Sequence, residues 1–517
     1  MVFGRFIEPQ SYRKGIVLSV GLGFLAKAAA FLLNPAIAYY FGARGDTDIF
    51  FFCMSTVLLA SAFLTSLNGS VVIPHAMHLS ASEGDARSMS FTNAFFYFYL
   101  LAGSVITILV VLAPAEVLGA ISNFPRNDLQ QHITLIRVLA LVFLLTIASS
   151  AMCDILFSRK FFAVPMISGL LTSLLGLAFL LLFHDALGTL SIAIGMLVAY
   201  LLQTVFLAIV MCRSIGWRFD LCSLQIGRRV SLDSTYAYLG NIASAAAGYV
   251  PLLLLGGFDP GTLTALMYAQ SITNIPGAIV TSQYSSVAGI RLNEECAKGD
   301  WAGVNRVFLM STNFLVFLLV PVACLMWLFS GEAVAVLFQH GKLTPETADL
   351  STRFLKYLSL IVPMAAANTL VARLFMAGRR VAMSFWYQIA MNLLLILMIV
   401  VFVGQAGPTG YPVALVVSYG SSILFLYWLL KYAFPTIVYS SILRHLALAT
   451  ILNVPLYALA YAAKYTWPSL LVAPLIAIGY LVVLFLMNAR FKFNRDVHEL
   501  LLEIQRRAVT LFSRKAA

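Results

Sequence analysis

Residues 135–158 read LIRVLALVFLLTIASSAMCDILFS, the basic pair Arg159-Lys160 follows, and residues 161–183 read FFAVPMISGLLTSLLGLAFLLLF. A helix needs about 20 mostly apolar residues to cross a hydrocarbon core of about 30 Å. Both runs meet that length, so the stretch reads as two membrane helices joined by a short basic loop. The whole chain repeats the theme. Of its 517 residues 61% are hydrophobic and 10% charged, against about 45–50% and 25% in soluble domains. The mean hydropathy is +0.92. So few charges cannot cover a water-soluble surface, and most of the chain must face lipid or other lipid-facing helices.

The same ruler gives about fourteen spans, near 15–41, 49–77, 91–113, 135–158, 161–183, 188–212, 232–256, 262–290, 305–329, 350–376, 381–404, 410–431, 440–462 and 469–488. The first is too long for a signal peptide and carries Lys27 near its middle, so it is expected to be retained. With the N-terminus in the cytoplasm, the inner loops and tail hold 24 Lys and Arg and the outer loops seven. That bias places both termini inside. The net charge of +12 sits in short gaps between apolar runs, which excludes a nucleic-acid-binding face. The six cysteines are scattered with no Cys-x-x-Cys spacing, against a disulfide framework or a structural zinc site.

The fold class expected is an all-α polytopic membrane protein with two six-helix lobes and two further helices. The boundaries are 1–14 for a cytoplasmic N-terminal segment, 15–212 for the first lobe and 213–231 for a cytoplasmic linker. The second lobe is 232–431, helices 13 and 14 are 440–488, and 489–517 is a basic amphipathic tail suited to an anionic leaflet. The lobes align as a repeat. Glu83-Gly84-Asp85 matches Lys298-Gly299-Asp300 at a separation of 215 residues, and Arg159 matches Arg379 at 220. Repeated halves around a midplane site are a transporter signature.

Polar residues inside the spans mark where that site is expected. Lys27 lies near mid-bilayer, where a lysine costs about 2.5–3.5 kcal/mol, and Asn34 shares its helical face. This points to a water-filled cavity and an anionic ligand. Gln270, Asn274, Gly277, Thr281 and Ser285 form a stripe along the eighth span, with a kink expected at Pro276. Ser61, Thr65, Asn68 and His75 line one face of the second, and Asn241 and Ser244 open the seventh. Arg373 and Asp154, near inner helix ends, are explained by snorkelling or local pairing. His75 and His78 lack an accompanying acid or cysteine, so no metal site is expected. Thr344-Pro345 reads as a helix N-cap and first-turn proline. There is no phosphate loop, nucleophile elbow or zinc-protease motif, and no cofactor or catalytic residue is expected.

Several short motifs resemble the MurJ/MviN family of lipid-linked glycan flippases. They are Phe41-Gly42-Ala43 with Thr47-Asp48-Ile49-Phe50-Phe51, Ile155-Leu156 with Phe161 and Pro165, Tyr268-Ala269 with Pro276, and Phe338-Gln339-His340-Gly341-Lys342. The resemblance implies the multidrug/oligosaccharidyl-lipid/polysaccharide exporter fold and alternating access for a polyprenyl-diphosphate headgroup. It also places the retained Asp48 among the candidate site residues. Departures are equally specific. Lys27 stands where the family usually has Arg, Leu33 and Ser271 stand where it has further Arg residues, and Arg379 stands where it often has an acid.

The resulting expectation is a bacterial inner-membrane flippase for an undecaprenyl-diphosphate-linked oligosaccharide, a polysaccharide repeat unit, with Lys27 on the diphosphate. Asn68, Gln270, Asn274 and Thr281 are expected on sugar hydroxyls, with Asn34, Asp48 and Asn241 completing the substrate-binding set. Lipid II is the runner-up substrate. A multidrug/cation antiporter and a membrane-embedded glycan polymerase or ligase are the other readings; the central cation and the lack of a large outer loop count against them. Partners expected are membrane lipids, the lipid-linked glycan, and a glycan polymerase or glycosyltransferases, with no nucleic acid.

Overall fold

The computed structural model describes residues 12–220, 228–466, 472–491 and 493–494. Among them every regular element is helical. The first part of the chain runs α1 (Tyr12–Phe41), α2 (Gly45–Thr65), a π turn (Asn68–Val72), α3 (Ile73–Ser82), α4 (Asp85–Leu112), α5 (Pro114–Ile121), α6 (Arg126–Gln131), α7 (Ile133–Ser158), α8 (Ala163–Leu187) and α9 (Leu190–Val210). Then come α10 (Arg228–Leu255), α11 (Thr262–Pro276), a second π turn (Gly277–Thr281), α12 (Ser282–Lys298), α13 (Trp301–Leu328), α14 (Ser330–Leu337) and α15 (Pro345–Ala377). The last are α16 (Val381–Ala406), α17 (Gly410–Ala433), α18 (Tyr439–Thr466) and α19 (Val472–Phe491).

Each apolar stretch read from the sequence is occupied by a helix. The long second and eighth stretches are each interrupted by one of these π turns, the later one directly after Pro276, and a further π turn, Met211–Ile215, closes α9. Eleven helical segments among the described residues are long and apolar enough to cross a membrane, and one of these, Ala382–Ala433, holds both α16 and α17. The protein is an all-α, multi-pass membrane protein. The start of the N-terminal segment, residues 221–227 of the linker and the tail from 495 onward lie outside the described residues.

The chain forms two compact units. The first comprises 1–268, 337–350 and 388–408, and the second 269–336, 351–387 and 409–517. In the first, α7 packs against α2, α4 and α9, and α1 lies along α8. In the second, α13 packs on α12 and α18, around a core that includes Phe308, Leu315, Leu370, Phe375 and Leu430. There Lys464 pairs with Glu332 at 2.7 Å, and the Tyr480 hydroxyl donates to Asn453 Oδ1 at 2.6 Å, tying α19 to α18.

Two helix ends close alike. After α7, Lys160 N–H donates to Phe157 O and Phe161 N–H to Leu156 O; after α15, Arg379 N–H donates to Met376 O and Arg380 N–H to Phe375 O. Lys160 (φ 68°) and Arg379 (φ 54°) hold the left-handed position that glycine usually takes at such an end. At the other end of α15, Thr344 caps as the sequence suggests, its hydroxyl accepting from Thr347 N–H at 3.4 Å.

The family motifs converge in the first unit. The N–H groups opening α11 have no carbonyl one turn back, and Asp48 of α2 serves them instead. Its Oδ2 accepts from Gly261 N–H at 2.7 Å, and its Oδ1 from Thr264 N–H at 2.7 Å and from the Thr264 hydroxyl at 2.6 Å. Negative charge there also complements the helix dipole. Further along α11, the Tyr268 hydroxyl donates to Gly42 O at 2.8 Å, and its ring stacks on Phe338 at 4.7 Å. Lys342 N–H donates to Tyr39 O at 3.1 Å. This close approach needs Gly341, at φ 79°, because a Cβ there would overlap the Tyr39 carbonyl.

Two outcomes follow from this joint. Asp48→Asn removes a charged acceptor from three donors and should lower stability by at least about 1.5–3 kcal/mol, whereas Thr264→Val should cost about 1 kcal/mol. Thermal unfolding of detergent-purified protein measures both, and an Asp48→Asn protein as stable as wild type contradicts the assignment. Gly341→Ala should sharply lower membrane accumulation, while Gly404→Ala, where a Cβ meets open space, should not.

Candidate functional site

In the first unit Lys27 is exposed on α1. Among the described residues it has no ion pair or hydrogen bond, although it sits in an apolar helix. At 3.6 residues per turn Lys27, Asn34 and Gly23 share one face, and Gly23 approaches Met166 of α8. The exposed apolar residues Phe24, Leu25 and Leu32 centre about 120° away around the helix. Lys27 thus lies beside the α1–α8 packing and off the greasy arc. Asn34 is half-buried one face-repeat further on.

The stripe read in the second span turns inward. Ser61, Thr65 and Asn68 are all buried, and α2 packs against α7 and α10. Asn68 opens the first π turn and is held at both ends of its amide. Its Nδ2–H donates to Asp154 Oδ2 at 2.9 Å, and its Oδ1 accepts from the Tyr99 hydroxyl at 3.0 Å. His75 is half-buried against the Phe91 ring. Asp48 is 3% exposed, with both oxygens already accepting within the protein. Asn241 is half-buried, and its neighbour Ser244 accepts from the Asn392 amide at 2.9 Å. Sequence reading missed Asn392, Tyr99 and Thr264; each is a single polar residue with no pattern of its own, found only through its partner.

In the second unit the Gln270 amide lies 3.5 Å from the Tyr411 hydroxyl, and Asn274 is exposed. Beyond them the second π turn intervenes. A π turn holds more residues than an α turn, so the 3.6-residue extrapolation slips there. Thr281 and Ser285, placed on the open face by that extrapolation, are buried.

Among the described residues no three His, Cys, Asp or Glu side chains gather as a metal set. Chemically, an exposed lysine such as Lys27 in the first unit suits an anion, and amides such as Gln270 and Asn274 in the second unit suit hydroxyl groups.

A family model described as "Lipid II flippase MurJ" matches residues 37–481. A probable lipid II flippase MurJ of Borreliella burgdorferi is 20% identical, over 86% of this chain and 88% of that protein. One from Aquifex aeolicus is 22% identical, over 81% and 83%. Among solved structures, a lipid II flippase MurJ in an inward closed conformation superimposes with a TM-score of 0.78 at 14% identity, covering 92% of this chain and all of that one. An inward-facing multidrug transporter of the MATE family gives 0.62 at 13% identity, covering 83% of this chain and 96% of that one. These likenesses concern the fold; the family match spans most of the sequence. The chain belongs to the MurJ family of inner-membrane flippases, which move lipid-linked molecules and catalyse no chemical reaction.

Proposed function

We infer that this protein flips lipid II across the inner membrane by alternating access, with fourteen crossings and both termini in the cytoplasm. The sequence reading ranks a polysaccharide repeat unit first and lipid II second; the family description and the names of the curated relatives support the reverse order. The observation that carries the reading is Lys27, an exposed cation in an apolar helix with no acid beside it among the described residues. Such a group is costly unless it meets water or an anion, and a diphosphate is the anion this family handles. Asn34 on the same face, and Asn274 and the Gln270 amide in the second unit, are the groups we assign to neutral donors and acceptors of the headgroup. Asp48 and Asn68, whose polar atoms are engaged within the first unit, we assign to the frame.

A polysaccharide repeat unit on the same polyprenyl carrier is the second reading. Leu33 and Ser271, standing where the family has arginines, favour it, because a headgroup with fewer carboxylates needs fewer cations. A glycan polymerase or glycosyltransferase partner belongs to this second reading.

Expression in cells depleted of their essential lipid II flippase tests the choice. Rescue of growth is the expected result; failure at normal protein level, with restored export of a polysaccharide in a flippase-deficient strain, moves the assignment to the second reading. In whichever assay responds, Lys27→Ala should reduce transport about tenfold or more, the worth of one charged hydrogen bond, and Lys27→Arg should retain most of it. Full activity of Lys27→Ala at normal protein level would remove Lys27 from the diphosphate role.

A further inference from the structure

The function above leaves one intramembrane acid unused. Asp154 lies in the last third of α7, and among the described residues it has no cationic partner. Its Oδ2 accepts from the Asn68 amide at 2.9 Å, and that amide in turn accepts from the Tyr99 hydroxyl at 3.0 Å. Three membrane helices therefore meet through a directional chain, Tyr99 O–H to Asn68 Oδ1 and Asn68 Nδ2–H to Asp154 Oδ2. Asn68 is also the first residue of the π turn that interrupts the second span, and π turns inside helices recur at functional sites. Backbone carbonyls just before that turn are capped by hydroxyls, Ser61 O by Thr65, Phe63 O by Ser66 and Leu64 O by Tyr238.

We propose that Asp154, Asn68 and Tyr99 form a proton-binding relay that sets the state of the π turn. With Asp154 ionised, the chain runs as observed, since a carboxylate only accepts. A proton taken from water onto Asp154 makes the carboxyl a donor. The Asn68 amide then reverses, its Oδ1 accepting from Asp154 and its Nδ2–H donating to the Tyr99 oxygen, and the Tyr99 proton turns to another acceptor. One proton binds and no covalent bond other than its O–H bond forms. The reversal is confined to the residue that opens the π turn, so it biases the helix where it is least regular.

The surroundings suit a proton more than a metal cation. Among the described residues the titratable groups near the carboxyl are Tyr99 of α4 and Cys153 of its own helix, with Tyr238 of α10 beside Tyr99 and Tyr200 of α9 beside Cys153. From α8 the neutral Ser168 hydroxyl meets Cys153, and from the second span the neutral Asn68 amide meets the carboxylate. Arg159, just past the end of α7, is paired with Asp85 at 2.8 Å. A pocket of about 170 Å³ lies near that end of α7, with Ser88, Thr92, Ser158 and Arg159 beside the apolar Ile73 and Met77 in its wall. Its wall includes Ile155, the residue next to Asp154 on α7.

Infrared difference spectra of the purified full chain between alkaline and acidic buffer test the relay without any substrate. Wild type should show a protonated-carboxyl band and, with the same midpoint, a tyrosine signal changing from donor to acceptor. Asp154→Asn should lose both, and Asn68→Leu should keep the carboxyl band while the tyrosine signal stops following it. If Asp154→Asn does not accumulate, Tyr99→Phe must keep the carboxyl band and lose the tyrosine signal. Persistence of the titrating band in Asp154→Asn, or of the tyrosine signal in Tyr99→Phe, overturns the proposal. The transport arm rests on the lipid II reading. In proteoliposomes with fluorescent lipid II at zero membrane potential, a pH gradient should change the flipping rate about fivefold or more, an ordinary coupling between sites, and Asp154→Asn should abolish that response. Flipping that ignores the pH gradient, or follows a sodium gradient instead, also overturns it; no flipping at all with the infrared result intact sinks the lipid II reading and spares the relay.

Discussion

The carboxylate of Asp48 is the constraint on which the first unit depends. In an apolar environment an unserved N–H group costs several kcal/mol, and the helix opening at Thr262 presents such groups directly to the α2 terminus. One buried anion meets two amides and a hydroxyl there at 2.6–2.7 Å. Around it the approach of the 341–342 backbone to Tyr39 and of Tyr268 to Gly42 leaves no room for side chains at Gly42 or Gly341. The short motifs that carry the family likeness are therefore mostly joints. They persist because the backbone of these segments must meet at hydrogen-bond distance, whatever the cargo.

Where the frame is regular, function has little purchase, and two long spans are broken by π turns. Each falls within a long span, at Asn68–Val72 and Gly277–Thr281. The first gathers a side-chain network that includes a carboxyl group, and the second separates an accessible pair, Gln270 and Asn274, from buried Thr281. A turn with an extra residue frees backbone carbonyls and shifts the helical face, which makes it both a polar spot in lipid and a place where two arrangements lie close in energy. Lys27 belongs to a different kind of position, a charge on an otherwise ordinary helix, with no acid paired to it among the described residues.

Much of this was legible in the sequence because lipid imposes strict rules. Apolar length fixes the helices, so the stretch at 381–404 reads as directly as 135–158, and Thr344 and Pro276 announce a cap and a break through chemistry local to them. The likeness of the loops after residues 158 and 377 was visible as basic pairs, and their backbone closes identically in form. Illegible were features set by partners far along the chain. Nothing near Asp48 says that it serves Gly261 and Thr264 more than two hundred residues on. Asp154 looks like an end-of-helix acid until Asn68 is found against it. The stripe through Thr281 failed for a third reason: a 3.6-residue ruler cannot see a π turn.

The central claim is that Lys27, unpaired among the described residues, meets a polyprenyl diphosphate. Native mass spectrometry of the chain extracted with its own lipids tests it most directly. The account predicts a bound polyprenyl-diphosphate species on wild type that is depleted on Lys27→Ala and kept on Lys27→Arg, both proteins being equally folded. Phospholipid adducts alone on wild type, or a diphosphate lipid bound equally well without the lysine, would contradict it.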